Sequence, residues 1–253
     1  MPREKRKKSK TGIYHVMLRG INQQTIFEDK EDKKRFLETL AKFKEVGQYV
    51  VYGYCLMDNH IHLLIKETEE PLSLSIQRII SSYVHWYNSK YSRCGHLFQE
   101  RFKSEVVEDT KYFLVVLRYI HQNPLKAGLA KTILDCKWTS LKEYLYRPKL
   151  VEIELALTRF SLDPKEARNM FLTFMSQDNE DECLDYYNKP TDEEVREYMR
   201  ELGIVNSSSL QSMQRTSRNE ILRQLKKIEG VSLGQLSRIT GISKSLIHRV
   251  VSR

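Results

Sequence analysis

Two histidines one residue apart, His60 and His62, and a tyrosine and an asparagine four residues apart, Tyr119 and Asn123, are the side chains whose types and spacing could do chemistry. In "YGYCLMDNHIHLLIKE", residues 52–67, a strand-like run carries both histidines with a single isoleucine between them. Side chains two apart on a strand point the same way, so the imidazoles share one face while Ile61, Leu63 and Ile65 fill the other. With the apolar face packed on helices, the imidazoles converge on the open face of the sheet, spaced to hold one divalent cation. The plain alternative is a pair of histidines on a solvated face with no ligand. In "TKYFLVVLRYIHQN", Phe113, Val116, Leu117 and Ile120 form a core stripe, and Tyr112, Tyr119 and Asn123 gather on a flank beside it. Tyr119 and Asn123, at i and i+4, are neighbours on that surface. An amide oxygen suits a hard cation such as Mg²⁺ or Mn²⁺, and the phenol one turn earlier would face a substrate oxygen held there. Without the histidines, both tyrosines would read as a cover for the edge of the core.

These side chains need a scaffold, and the pattern of elements supplies one. "GIYHVMLRG" reads as a strand with Ile13, His15 and Met17 on one face. A helix carrying Phe36, Leu37, Leu40 and Phe43 follows. Two strands, "YVVYGYCLM" and "HIHLLIKE", meet at the turn-forming Asp58-Asn59 as a hairpin. A second helix with Leu74, Ile79, Ile80 and Val84, a strand in "HLFQERFKSEVVE" and a third helix stopped by Pro124 complete the set. The order strand, helix, two strands, helix, strand, helix predicts an α+β fold, an antiparallel sheet with helices on one face. Beyond residue 135 the pattern is helical, with helix starts at Asp163-Pro164 and Thr191-Asp192.

Composition sets the outer bounds. The 253 residues suffice for one sizeable core, or a core plus a small satellite domain. With 42 Lys+Arg against 33 Asp+Glu the net charge is +9 and the pI ≈ 9.2, which favours an acidic partner, nucleic acid ahead of membrane. An ordinary lysine-rich surface gives the same balance. The cysteines, Cys55, Cys94, Cys136 and Cys183, lack C-x-x-C spacing, so neither a zinc knuckle nor a disulfide framework is indicated and a cytoplasmic setting is expected. No apolar run approaches the ~18 residues of a membrane span. The opening "MPREKRKKSK" lacks a signal peptide's hydrophobic segment and reads as a mobile basic arm over residues 1–11.

Several ordered motifs together are more specific than H-x-H alone. "HIH" preceded by "YCLMDN", then "GHLFQERFKS" and "YIHQNPLKAGL", resembles the single-tyrosine HUH transposases, in particular the REP-associated tyrosine transposases. "YHVMLRGINQQTIFEDKEDKKRFL" is similar to that family's first strand, loop and helix, and the likeness spans about residues 12 to 130 with a weaker echo to about 175. It implies a ferredoxin-like HUH nuclease domain over residues 12–135. It also implies His60 and His62 as metal ligands, Tyr119 as the nucleophile and Asn123 as the auxiliary ligand, with Tyr112 the alternative nucleophile on the same flank. In the branch with the simplest insertion sequences a glutamine usually stands at the Asn123 position, so Asn123 followed by Pro124 points to the REP-associated side. Arg101 of "QERF" matches a motif arginine and is placed among DNA-binding residues without a defined role. The activity implied is metal-dependent cleavage and rejoining of single-stranded DNA, hairpin or inverted-repeat, through a 5′-phosphotyrosine link. A homodimer, with Tyr119 completing its own active site or a partner's, is left open.

The remaining chain reads as a helical extension over 136–205, a Ser-rich linker over 206–214 and a helix-turn-helix over 215–253. In the last, Ser243 caps a helix that would offer Lys244, Ser245, His248 and Arg249 to a major groove. A small helical bundle used for self-association is the alternative. Two rivals to the transposase reading are a catalytically inactive DNA-binding regulator of the same fold and a metal-dependent hydrolase with water as nucleophile. The hydrolase would need further His or Asp ligands that no nearby motif supplies.

Overall fold

The computed structural model describes residues 6–99, 101–181, 183–184, 190–228 and 231–251, and the chain divides into two compact units, Met1–Leu184 and Asp185–Arg253. Glu100 of the "QERF" motif and residues 1–5 of the basic arm lie outside the described residues.

In the first unit β1 (Ile13–Arg19), α1 (Lys30–Gly47), β2 (Val50–Leu56), β3 (His60–Lys66), α2 (Leu72–Lys90) and β4 (Lys103–Val106) build a four-stranded sheet of order β2-β3-β1-β4. Every pairing is antiparallel, so β1 runs parallel to β2 and β3 parallel to β4 across the intervening strand. Two such crossovers of the usual right hand carry α1 and α2 to the same face. This is the ferredoxin-like arrangement expected. Asp29 starts α1 by accepting from the backbone N–H groups of Glu31 and Asp32, and the Asp32 side chain returns to the backbone N–H of Asp29. Val16, Leu18, Ile61, Leu63 and Ile65 form the sheet face on this side, and they are buried in one core with Phe36, Leu40, Ile76, Ile79 and Tyr83. Leu74, expected in that core, is 40% exposed.

The histidine face is not open. α3 (Thr110–Lys126) lies on it: Leu117 and Ser140 approach the backbone of Gly53, which pairs with Leu64, and a Cβ at Gly53 would stand 2.7 Å from Leu117 Cδ1. Helices therefore cover both faces, which is why all of β1 and the middle of β3 are buried. The element order alone did not reveal this, because α3 follows the last strand and no crossover dictates its side. Nor does Pro124 stop α3, which runs on to Lys126. So near the end of a helix a proline forfeits little beyond one hydrogen bond.

Residues 136–184 are part of this unit and not of a separate extension. Leu56 N–H donates to Trp138 O (2.9 Å) and Ser140 N–H to Tyr54 O (3.0 Å), which covers the free edge of β2. After α4 (Leu141–Leu145) and α5 (Glu154–Leu157), α6 (Pro164–Ser176) begins at the expected Asp163-Pro164 and stacks Phe171 on Tyr144 at 4.6 Å. At the end of the expected basic arm, Thr11 donates to Val107 O (2.6 Å) and the Ser9 N–H to the Tyr14 hydroxyl (2.9 Å).

The second unit packs α7 (Asp192–Glu201), α8 (Ser207–Ser212), α9 (Arg215–Lys227), α10 (Leu233–Thr240) and α11 (Lys244–Val251) around Val195, Met199, Leu210, Leu222, Leu236 and Ile247. The stretch expected as a linker is α8. Asn206 caps it by accepting from Ser209 N–H (2.8 Å), and Leu210 is fully buried, so one cap and one apolar anchor order a Ser-rich segment. Between α10 and α11 the chain turns through Gly241 at φ 68, where the Gln211 amide occupies the place a Cβ would take. Among the described residues no helix is long and apolar enough to cross a membrane.

Candidate active site

The register of β1 on β3 pairs Met17 with His62 and Arg19 with His60, so His15, Met17 and Arg19 share the face of the two histidines. His15 reaches diagonally across the pair: its Nε2 lies 3.0 Å from Nδ1 of His62, with ring centroids 5.1 Å apart. Both rings are fully buried. Burial lowers the His15 pKa to about 3; burial first, then the neighbouring His15 and His60, hold His62 well below the ordinary value. Both are therefore neutral at physiological pH, the state in which an imidazole can bind a metal.

Hydrogen bonds bear on the tautomers. His60 Nδ1 is 2.7 Å from Asn59 Oδ1, an acceptor, so a proton on Nδ1 would be held there. His62 Nδ1 meets His15 Nε2, and donation from Nδ1 would turn the His62 Nε2 lone pair toward α3. Both Nε2 atoms then face the side chain of Asn123, buried on α3, with His60 Nε2 3.2 Å from Asn123 Oδ1 and His62 Nε2 3.5 Å from Asn123 Nδ2. Asn123 thus meets His60 through its oxygen and His62 through its nitrogen. Among the described residues no group of three or more His, Cys, Asp or Glu side chains could hold a metal ion. A cation here depends on two imidazoles, one amide and water, and the donors fit that requirement.

Tyr119 packs its ring edge-on against both imidazoles, at 5.5 Å from His62 and 5.9 Å from His15, and the Lys126 ammonium lies 5.7 Å from its ring centre. The ring is 6% exposed. Tyr112 is held elsewhere: its hydroxyl donates to Glu105 Oε2 at 2.7 Å, and burial, followed by that hydrogen bond, pushes its pKa up. The structure therefore gathers His60, His62, Tyr119 and Asn123 and leaves Tyr112 outside the cluster. Arg101 is exposed two residues before β4 and is not part of the cluster either. Lys244, Ser245, His248 and Arg249 are all exposed on one side of α11 in the second unit. His15 was given no role by the sequence pattern. Its place on the same strand face as Met17 was the available signal, and only the β1–β3 register shows what it touches.

Residues 8–123 match the family model of IS200-like transposases. No curated protein matches the chain. Among solved structures, a REP-associated tyrosine transposase bound to a REP hairpin is similar at 19% identity and a TM-score of 0.52, over 60% of this chain and 90% of that one. A crystal structure from Deinococcus radiodurans R1, provisionally assigned as a transposase, aligns at 12% identity and a TM-score of 0.34 over 51% of this chain and 99% of that one. Only the first of these supports the shared fold. Residues 8–123, which carry the antiparallel sheet, the paired histidines and the tyrosine-bearing helix just described, are thus similar to the IS200-like transposases.

Proposed function

We propose that the protein cuts and rejoins single-stranded DNA, using Tyr119 as nucleophile and Mg²⁺ or Mn²⁺ held by His60, His62 and Asn123. The observation that carries this reading is the meeting of the two Nε2 atoms with the Asn123 amide one turn along α3 from a phenol that packs on the same imidazoles. A bound cation would supply charge stabilisation for the oxygens of the scissile phosphate. The protein supplies the rest. His15 and Asn59 hold the ligand tautomers, α3 fixes Tyr119 and Asn123 on one rigid element, and Lys126 lends a positive field beside the phenol.

The Tyr119 oxygen gives up its proton and attacks phosphorus. The bond from phosphorus to the 3′-oxygen breaks, and that oxygen takes up a proton. A 5′-phosphotyrosine link and a free 3′-hydroxyl result, and attack by a DNA 3′-hydroxyl reverses the step, so rejoining needs no ATP. The likeness to a transposase bound to a REP hairpin supports hairpin DNA as the substrate form. The exposed row Lys244, Ser245, His248 and Arg249 on α11, after a glycine turn, supports a helix-turn-helix that holds duplex DNA.

The test is to incubate the protein with single-stranded hairpin DNA and Mn²⁺, digest it and map any phosphotyrosine by mass spectrometry. A 5′-adduct on Tyr119 that vanishes in Tyr119→Phe and in EDTA is expected. DNA binding with no adduct under any condition would instead favour the catalytically inactive regulator.

A further inference from the structure

On the sheet face opposite the histidines, two adjoining clefts of about 420 and 520 Å³ run along the start of β4 and the first turns of α2. They share Arg6, Ser73, Arg101 and Phe102, so together they form one elongated groove. Its side of the sheet follows from Tyr14 and Ser104, which line it and pair with Ile65 and Val16. We propose that this groove binds the phosphate backbone of a nucleic-acid strand, at a site separate from the one that holds Tyr119.

Charge is the first argument. Arg6, Lys7, Lys8 and Arg101 face the groove, and among the described residues the one carboxylate in its lining, Glu67, is already committed on both oxygens. Glu67 Oε1 accepts from the Tyr14 hydroxyl (3.0 Å) and Oε2 from the Leu72 N–H (3.0 Å). Neither arginine makes an ion pair among the described residues.

Placement is the second. The Arg6 guanidinium sits 3.6 Å above the centre of the Phe102 ring and donates to Phe102 O at 2.7 Å, so it is fixed in position with donors to spare. Burial, and after it the nearby Arg101, lower its pKa. Like charges held together cost stability in the empty groove, and an anion between them removes that cost. Ser73, Gln77 and Ser81 add exposed neutral hydrogen-bonding groups along α2, one turn or about 6 Å apart, a row suited to a repeating polyanion. The choice of nucleic acid as that polyanion rests on the DNA chemistry proposed above; the charge of the groove does not.

The test uses full-length protein carrying Tyr119→Phe in EDTA, so an error in the nucleophile or the metal leaves its outcome untouched. Binding of a fluorescent oligothymidylate is followed by anisotropy over a salt series, with and without Lys7→Gln, Lys8→Gln and Arg101→Gln together. The triple variant should keep its melting temperature, bind more weakly and lose about 0.7 of salt slope per phosphate contact, roughly 2 in all. Arg101→Lys alone should keep the parent slope. In the parent, the oligonucleotide should slow acetylation of Lys7 and Lys8 read by mass spectrometry. An unchanged slope in the triple variant, or unprotected lysines, overturns the proposal. So does displacement of the oligonucleotide by phosphatidylserine vesicles, which would make the groove a lipid surface.

Discussion

His15 Nε2 and His62 Nδ1 lie 3.0 Å apart in a fully buried pair, and in the proposed metal site a proton on His62 Nδ1 would leave Nε2 as the nitrogen that meets the cation. Partners behind metal-ligating histidines typically contribute about 10–100-fold to metal affinity. His15→Ala should therefore weaken Mn²⁺ binding by about that factor, measured by paramagnetic-resonance titration without DNA. His15→Gln, whose amide oxygen can accept from Nδ1, should recover part of it. Equal Mn²⁺ affinity in folded His15→Ala would remove His15 from the site.

The three proposed donors should not be equivalent. His60→Ala or His62→Ala deletes a nitrogen ligand and should lower cleavage of single-stranded DNA by about 10²-fold or more, since several kcal/mol of charge stabilisation go with the metal. Asn123→Ala should cost about tenfold, one such step on that scale, because water can replace an amide oxygen. Nicking rates in Mg²⁺ give the comparison, and undiminished cleavage in EDTA would dismiss the metal altogether.

Tyr112 offers a control on the same helix. Its hydroxyl is committed to Glu105, so Tyr112→Phe should leave the adduct in place while lowering stability by roughly 1–2 kcal/mol, the cost of a carboxylate that loses one of its donors. Denaturant unfolding and adduct yield separate the two effects. An adduct peptide containing Tyr112 would reverse the assignment of nucleophile.

What could be read from sequence follows from how local each feature is. The shared face of His60 and His62 and the gathering of Tyr119 with Asn123 each depend on one element's own period, so they were legible. The His15–His62 contact depends on the register of strands 47 residues apart, which no local pattern encodes. The same holds for α3, whose place on the histidine face is set by packing of Leu117 against Gly53. α8 was missed for the opposite reason: its composition is that of a linker, and a single buried Leu210 with an asparagine cap outweighs it.

Stability should fall in mild acid. His121 is fully buried with Nε2 2.8 Å from Ser140 Oγ, and burial lowers its pKa from 6.5 to about 3. Between those values the unfolded chain binds a proton that the folded ring refuses, so stability is complete above about 6.5 and declines as pH drops toward 3. One such group contributes about 1.4 kcal/mol per pH unit within the window. His15 and His62 add to the decline, so the informative quantity is the difference made by His121→Gln, which should flatten the slope by about that amount. Equal slopes, from urea unfolding across the window, would show that the ring takes up its proton without loss of fold.

The boundary between the two units makes the position of a truncation decisive. Ending the chain at residue 214 keeps α7 and α8 but removes Leu222, Leu225, Leu236, Ile239 and Ile247, the side chains that bury Val195, Met199 and Leu210. That fragment should expose apolar surface, bind a hydrophobic dye and aggregate. Ending it at residue 184 removes the second unit whole and leaves the first core intact, so this shorter fragment should melt cooperatively and still form the adduct. It should also bind hairpin DNA more weakly and with a shallower salt dependence, because Lys244 and Arg249 no longer reach phosphates. If it binds as tightly and with the same slope as the full chain, α11 does not hold DNA. If the 214-residue fragment is as soluble and cooperative as the shorter one, α7 and α8 do not depend on α9 to α11 for their core.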